Sequence, residues 1–197
     1  MQTSYKKWKI ALDIDDLTLG EVYESLPKHS QESISLWVRL LENPKSPFHL
    51  RGAVGLLEHD CIHLLLSRGL LPQDEAFVIG FTMGSVKNLK NYEILLFEWA
   101  ARFIYPAKYR LSKSNLVSFR LGIKAAKEAP GLGNLVDYSY QQNFNKTIGS
   151  IREELNINKE NLRQTYLIEA DLLPDTTESH RLRALSATSA KKPKSQH

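Results

Sequence analysis

The apolar residues of this chain recur with the 3.6-residue period of an α-helix, and the strict alternation that is typical of β-strands is scarce. The periodicity predicts at least six helices joined by short connections. They cover approximately residues 30–42, 50–67, 72–88, 93–105, 115–127 and 144–157. The turn-rich segment 129–135 is predicted to be a loop between the last two helices. We therefore predict an all-α fold.

The connection between the second and third predicted helices is marked by residues with special backbone preferences. Gly69 is predicted to take the left-handed conformation just past the end of the second helix. Pro72 suits the first turn of the third helix, where Asp74 and Glu75 would complement the helix dipole. A short break at 69–71 would let the third helix return beside the second.

The chain has 197 residues, of which 42% are hydrophobic, which is the size and composition of one folded domain. We predict a single bundle-like helical domain over residues 1–172. The apolar pattern fades after about residue 171, and residues 173–197 are predicted to form a disordered basic tail. This tail has five basic and two acidic side chains, so it carries +3 of the net charge of +4. The body therefore lacks the positive charge of a nucleic-acid-binding surface, and we expect no nucleic-acid partner.

Three further features bear on the cellular setting. The longest uncharged apolar stretch, 76–86, is well short of the roughly 20 residues that a membrane-spanning helix needs. The first residues lack the apolar segment and cleavage site of a signal peptide. The single cysteine, Cys61, cannot form an internal disulfide. We expect a cytoplasmic protein.

The highest concentration of potential metal-ligating side chains lies in the second predicted helix, where residues 59–63 read His-Asp-Cys-Ile-His. At about 100° per residue, His59 and His63 lie about 40° apart around the helix, so their imidazoles share one face. Glu75 follows after eleven residues, in the first turn of the next helix. Two histidines at i and i+4 with a carboxylate from a neighbouring element form a known zinc arrangement. Because such mixed ligands also suit Mn, Fe or Mg, the sequence predicts a divalent metal site without choosing the ion.

These residues could also have purely structural roles. His59 and His63 could be core or surface histidines with protein partners, and Glu75 could only complement the helix dipole. A zinc-protease site is disfavoured, because its general base is a glutamate directly after the first histidine and here that residue is Asp60.

The pair His59-Asp60 also permits a phosphohydrolase of the HD type. In that interpretation His49 or His29 is the upstream ligand and Asp74 is the later one. The spacing from His49 is too short for a separate helix, which disfavours this alternative.

A third pattern, at residues 10–19, resembles the strand-end motif of haloacid-dehalogenase-like phosphatases. In that family the residues corresponding to Asp13 and Asp15 act at the end of a parallel sheet, and no series of apolar strands follows here. We therefore interpret both residues as solvated acids that precede a helix.

Residues 59–75, with His-Asp-x-x-His followed after eleven residues by Glu, resemble the signature of the Coq-four family of coenzyme Q (ubiquinone) biosynthesis proteins. A second stretch, 136–157, resembles the C-terminal segment of that family, in which an aromatic-rich sequence enters a helix ending in Arg-Glu-Glu-Leu. The order and spacing of the two matches cover roughly residues 30–158.

This resemblance implies an all-helical fold, a divalent metal held by His59, Asp60, His63 and Glu75, and a site for polyprenylated quinone precursors beside it. The family is described both as the organiser of a membrane-associated biosynthetic complex and as an enzyme that replaces the ring carboxylate by hydroxyl, an oxidative decarboxylation. The implied partners are a prenyl lipid, other quinone-biosynthesis proteins and the inner face of a membrane.

Apolar helices could serve either of these roles. The stretches 76–83 and 94–104 could line a prenyl groove or lie on a bilayer, with Trp99, Arg102 and Tyr105 at the rim. Most of their residues could equally be ordinary core. Because helical proteins with exposed apolar faces often pair, we also expect a homodimer.

Overall fold

The computed structural model describes residues 8–27, 52, 54–104 and 110–188, and these residues form helices without a β-strand. The eight α-helices of this part of the chain are α1 (Leu19–Glu24), α2 (Leu56–Leu66), α3 (Pro72–Ser85), α4 (Asn91–Trp99), α5 (Lys113–Glu128), α6 (Ile148–Glu154), α7 (Lys159–Leu172) and α8 (Thr177–Thr188). A π-helical turn, Ala100–Ile104, continues α4, and a 3-10 turn, Tyr140–Asn143, precedes α6. The all-α prediction is confirmed. Among the described helices, none has the length and apolar character needed to cross a membrane.

The central helix of the fold is α3, which is buried along most of its length and packs extensively along α5. The two helices approach closely because Gly80 of α3 has no side chain and lies against the backbone carbonyl of Phe119. On the other sides, α2 contacts α1, α3 and α6, while α7 lies between α5 and α8. The core has one large apolar cluster and a smaller one that is shared by α3, α4 and α5.

Helix α2 ends earlier than the sequence predicted, and at a different residue. Ser67, not Gly69, takes the left-handed conformation, with φ of 52°. Ser67 is held there by its hydroxyl, which donates to the carbonyl of Ala11 and accepts from Arg152. Gly69 instead lies against the guanidinium of Arg181, the end of a flexible side chain, which a Cβ at this position would contact.

The helix predicted over 144–157 is also shorter in the structure. It begins at Ile148, because the preceding backbone pairs instead with residues 17–20: Leu19 N–H donates to the Lys146 carbonyl, and Gly20 N–H to that of Phe144. It ends at Glu154, before Asn156, which has a left-handed φ of 53°. The backbone before Ile148 therefore pairs in antiparallel direction with residues 17–20 and does not form the predicted first turn of this helix.

The first part of the segment that the sequence predicts to be a tail, after residue 172, is helical in the structure. Helix α8, Thr177–Thr188, packs on α7 with Leu182 fully buried. The sequence of α8 shows few apolar residues because many contacts of this helix with the rest of the fold are polar, including the ion pair of Arg181 with Asp74. Residues 189–197 of the predicted tail lie outside the described residues, as does the first predicted helix, 30–42.

Candidate metal centre

The two histidines and Glu75 converge from helices α2 and α3, as the sequence predicted. The left-handed Ser67 ends α2, and Pro72 starts α3 four residues after Arg68, so the first turn of α3 lies beside the last turns of α2. His59 and His63 are successive on one face, with ring centroids 4.7 Å apart and an interplanar angle of 66°. The short connection is therefore sufficient to place Glu75 opposite both rings.

One carboxylate faces both imidazoles at equal distance. Glu75 Oε2 lies 3.5 Å from His59 Nε2, and Glu75 Oε1 lies 3.5 Å from His63 Nε2. His59 and His63 are buried, whereas the Glu75 side chain retains 18% exposure. The three side chains offer ligand atoms that all lie within 4.8 Å of one another. Among these three side chains, that of Glu75 is the most exposed to solvent.

These distances fit a metal ion better than direct hydrogen bonds. A separation of 3.5 Å exceeds the 2.7–3.2 Å of ordinary N–H···O bonds. Ligands about 2.1 Å from a tetrahedral ion are separated by about 3.4 Å, close to the observed spacing. The Nε2 atoms of both histidines and Nδ1 of His63 are buried without a hydrogen-bond partner, which costs about 1–3 kcal/mol per group. The residues present therefore fit a divalent ion with three protein ligands.

The burial of the site prepares His59 as a ligand. Burial lowers the pKa of His59 to about 4, although the Glu75 carboxylate opposes this shift. Burial lowers the pKa of His63 as well, but there the negative charge of Glu75, with further contributions from the Asp60 and Asp74 carboxylates, outweighs it, so that the net pKa is raised. His59 is consequently neutral at pH 7, the form in which imidazole binds metal ions.

Asp60 is not brought into this group of ligand atoms. It is half-buried on the adjacent face of α2, where it raises the pKa of Tyr23, whose own burial is the larger cause, and contributes to the raised pKa of His63. Its carboxylate thus lies near the histidine pair, at the side of α1.

Below the candidate site lies a buried ionic network that the sequence reasoning missed. Arg68, which follows α2 and is fully buried, donates to both oxygens of Glu169 of α7 at 2.8 and 3.0 Å. Its Nε lies 3.2 Å from Asp74, the neighbour of Glu75, and Asp74 also pairs with Arg181 of α8. The first turn of α3 is therefore fixed from two sides by cations.

The same network includes neutral partners. Glu169 also accepts hydrogen bonds from Gln73 Nε2 at 2.7 Å and from Ser118 Oγ at 2.8 Å, and the Arg68 guanidinium lies over the rings of Phe77 and Tyr166. Burial lowers the pKa of Arg68, but the Glu169 and Asp74 carboxylates raise it more, so the guanidinium stays charged. One signal was available in the sequence: Glu169 occupies the apolar face of α7 that Leu162 and Tyr166 define.

The C-terminal end of α2 is held by a second buried arginine. Arg152 of α6 donates to the carbonyls of Leu65 and Leu12 at 2.9 and 2.8 Å, and its Nη1 lies 3.0 Å from Asp15 Oδ1. Because helix C-terminal carbonyls need external donors, this side chain completes the helix that carries both histidines. The segment 136–157 therefore contains a residue that fixes the C-terminal end of α2.

The structure also places the residues of the alternative interpretations. Asp74, the later ligand in the phosphohydrolase alternative, is fully buried and bound by Arg68 and Arg181 instead. His29 and His49 lie outside the described residues. The acids of the third pattern are paired with cations of α6 and α7: Asp15 with Arg152 and Lys159, and Asp13 with Arg163.

Comparison of the chain with protein-family models, with curated proteins and with solved structures found no match in any of the three.

Proposed function

We propose that this chain is a divalent metal-binding protein of quinone biosynthesis, whose metal is held by His59, His63 and Glu75. Its substrate in this proposal is a polyprenylated hydroxybenzoate, and the reaction replaces the ring C1 carboxylate by hydroxyl. The C1–carboxylate bond breaks with release of CO2, and a C1–OH bond forms with an oxygen from water. Dioxygen accepts the two electrons of this oxidation and leaves as hydrogen peroxide. The ion is zinc, or Mn, Fe or Mg. The substrate class follows from the resemblance of residues 59–75 and 136–157 to the Coq-four family.

The observation that supports the proposal most is the position of Glu75, whose two oxygens lie 3.5 Å from the Nε2 atoms of His59 and His63. Three protein ligands leave a further position for an exogenous oxygen ligand. When bound, the ion would act as a Lewis acid that polarises a phenolate or carboxylate oxygen and stabilises developing negative charge.

The surrounding side chains have separate roles in this proposal. The buried faces of α2 and α3 exclude water from the histidine side, so a ring substrate enters from the side of Glu75. Asp60 accepts the proton of the ring hydroxyl. Asp74 and Arg68 hold the first turn of α3, and with it the Glu75 carboxylate, in place.

Metal content tests the first step of the proposal. Purified wild type, the His59→Ala/His63→Ala variant and the control His180→Ala, at an exposed histidine of α8, are analysed for metals after incubation with Zn, Mn and Fe. We expect one ion per chain in wild type and control, and loss in the double variant. Wild-type protein that is folded and binds no metal would overturn the proposal.

Turnover tests the second step. The metal-loaded protein is incubated with a prenylated hydroxybenzoate and oxygen, and the ring product is identified by mass spectrometry. We expect replacement of carboxylate by hydroxyl in wild type and its loss in Glu75→Ala. Product formation that survives in this variant would refute a role of the centre in the reaction.

A second candidate function is a lipid-binding scaffold without catalysis, which organises other quinone-biosynthesis proteins. It is favoured by one observation, the exposed apolar residues of α4 and the π-helical turn, among them Leu95, Trp99 and Phe103. The two candidates differ in their response to substitution. Under the scaffold function quinone production survives Glu75→Ala, provided that the protein stays folded, and fails after polar substitution of these exposed apolar residues.

A further inference from the structure

The first turn of α3, which carries Glu75, begins without a side-chain cap from its own segment. Its N-cap residue is Leu71, whose aliphatic side chain cannot accept a hydrogen bond. The first backbone N–H groups of a helix have no partner within the helix, so this turn frays unless another element supplies an acceptor. The position of the Glu75 carboxylate therefore depends on what caps the turn from outside.

This cap comes from helix α8. Glu178 Oε1 accepts a hydrogen bond of 3.3 Å from the backbone N–H of Gln73, 105 residues away in the sequence. Glu178 is buried, and a carboxylate at this place also complements the positive end of the helix dipole. The side-chain amide of Gln73 donates a further hydrogen bond, of 3.4 Å, to Ser179 Oγ. Helix α8 thus completes the turn that the segment of α3 leaves open.

A second contact of α8 reaches the residue next to Glu75. Arg181 pairs with Asp74, whose side chain has no solvent exposure. The same guanidinium lies against Gly69, in the connection between α2 and α3. The contacts of α8 therefore converge on residues 69–74, which join the helix of the two histidines to the helix of Glu75.

A ligand set that comes from two helices binds a metal ion only if the helices keep their relative position. The two oxygens of Glu75 lie 3.5 Å from the Nε2 atoms of His59 and His63, and a shift of the first turn of α3 changes both distances at once. Side chains outside the ligand set that hold ligands in place typically contribute about 10–100-fold to metal affinity. The contacts of α8 have the position required for this role.

We propose that α8 is a positioning element of the metal centre, in which Glu178 and Arg181 fix the first turn of α3. This inference rests on the proposed metal centre. Neither side chain belongs to the group of ligand atoms, and both act through the turn that carries Glu75. Because the coupling between two sites is reciprocal, loss of either contact weakens metal binding, and a bound metal in turn holds α8 more firmly on the fold.

Helix α8 also has an attachment that avoids α3. Arg183 donates to the carbonyl of Ala170 of α7 at 2.8 Å and pairs with Asp171 at 2.9 Å. Arg183→Met therefore removes a cation from the same helix and loosens its contact with α7, while the contacts at residues 69–74 stay in place. It is the matched control for Arg181→Met.

Zinc affinity tests the proposal with the full chain. Zinc is titrated into wild type, Arg181→Met and Glu178→Ala in competition with a chromophoric chelator, and Co²⁺ binding is followed by its visible absorption, which reports the coordination geometry. We expect zinc to bind at least about tenfold more weakly to both variants, with an altered Co²⁺ spectrum. Arg183→Met should bind zinc as wild type does. Arg181→Lys, which keeps the charge without the planar guanidinium, should have an intermediate affinity.

Amide hydrogen exchange measures the reciprocal effect. Zinc should slow the exchange of the α8 amides in wild type and in Arg183→Met, and slow it less in Arg181→Met. A purely structural role of Arg181 would instead speed up this exchange equally with and without zinc. Circular dichroism checks that each variant is folded, and Glu178→Ala decides the question if Arg181→Met does not fold.

Three results would overturn the inference. They are wild-type zinc affinity in the folded Arg181→Met and Glu178→Ala variants, an equal loss of affinity in Arg183→Met and Arg181→Met, and an exchange rate of α8 that zinc leaves unchanged in wild type. In each of these cases wild type still binds zinc, so the metal centre itself stands. Folded wild type that binds no zinc would refute the metal centre, and this inference with it.

Discussion

Replacement of the buried Arg68 by methionine removes the cation that lies between two carboxylates while it keeps much of the apolar volume. Glu169 would lose two hydrogen bonds, of 2.8 and 3.0 Å, and Asp74 would lose one of its two cationic partners. All three groups have no solvent exposure, so water cannot replace the lost charge. Arg68→Met therefore measures what the network contributes to folding.

The expected loss is large because one partner of a buried pair stays behind. Removing one partner of such a pair costs about 3–5 kcal/mol, compared with a total stability of about 5–15 kcal/mol for a domain. Glu169 keeps its bonds from Gln73 and Ser118, which argues for the lower part of this range. A loss of about 3 kcal/mol corresponds to a decrease in Tm of about 6–12 °C for a domain of this size.

Equilibrium unfolding in urea, followed by far-UV circular dichroism, measures the change in free energy. The matched control is Arg120→Met, because Arg120 also binds a carboxylate with two hydrogen bonds but is 65% exposed. An exposed pair of this kind contributes at most about 1 kcal/mol. The double variant Arg68→Met/Glu169→Met should recover at least about 2 kcal/mol of the sum of the single losses. Equal effects of Arg68→Met and Arg120→Met, or strictly additive losses, would refute this reasoning.

Three further predictions concern the metal centre, the helix crossing and the acid stability. Saturating Zn should raise the Tm of wild type but not that of Glu75→Gln, because only a ligand that binds the folded state stabilises it; an equal increase in both would contradict the assigned ligand. Gly80→Ala should lower the free energy of unfolding by about 1–3 kcal/mol, since the new Cβ would overlap the Phe119 carbonyl where α3 and α5 cross. Urea unfolding measures this change. An unchanged free energy of unfolding would show that the two helices can move apart without cost. Burial raises the pKa of Asp15, but its cationic partners, among them Arg152, lower it more, so that its net pKa is below the usual range. Its contribution to stability is therefore complete above the ordinary carboxylate pKa of about 3.9 and is lost as the pH falls through the lower folded value. Asp15→Asn should weaken the decrease in unfolding free energy below pH 4, and an unchanged acid profile would count against this pair.

The fold class and the helix pair at the site were predictable because they depend on local pattern. The i, i+4 spacing of His59 and His63 places both rings on one face of any α-helix. Because the connection between α2 and Pro72 is short, α3 must start close to the end of α2 and return beside it. The convergence of Glu75 on the histidines was therefore predicted correctly.

Other features depend on residues far apart in the sequence. The backbone pairing at the start of α6 joins residues 15–20 to 144–149, and the packing of α8 depends on the ion pair of Arg181 with Asp74. Periodicity within one segment contains no information about such partners.

The long sequence separations within the network have a consequence for the order of events during synthesis. The hydrogen bond of Arg68 with Glu169 spans 101 residues of sequence, and that of Arg152 with the Leu65 carbonyl spans 87 residues. At about 5–20 residues per second, α2 and α3 leave the ribosome several seconds before α6, α7 and α8 exist to cover them. The segment that carries both histidines and Glu75 is thus synthesised before the segments that bury it, so we expect chaperones to bind its apolar side chains during this interval.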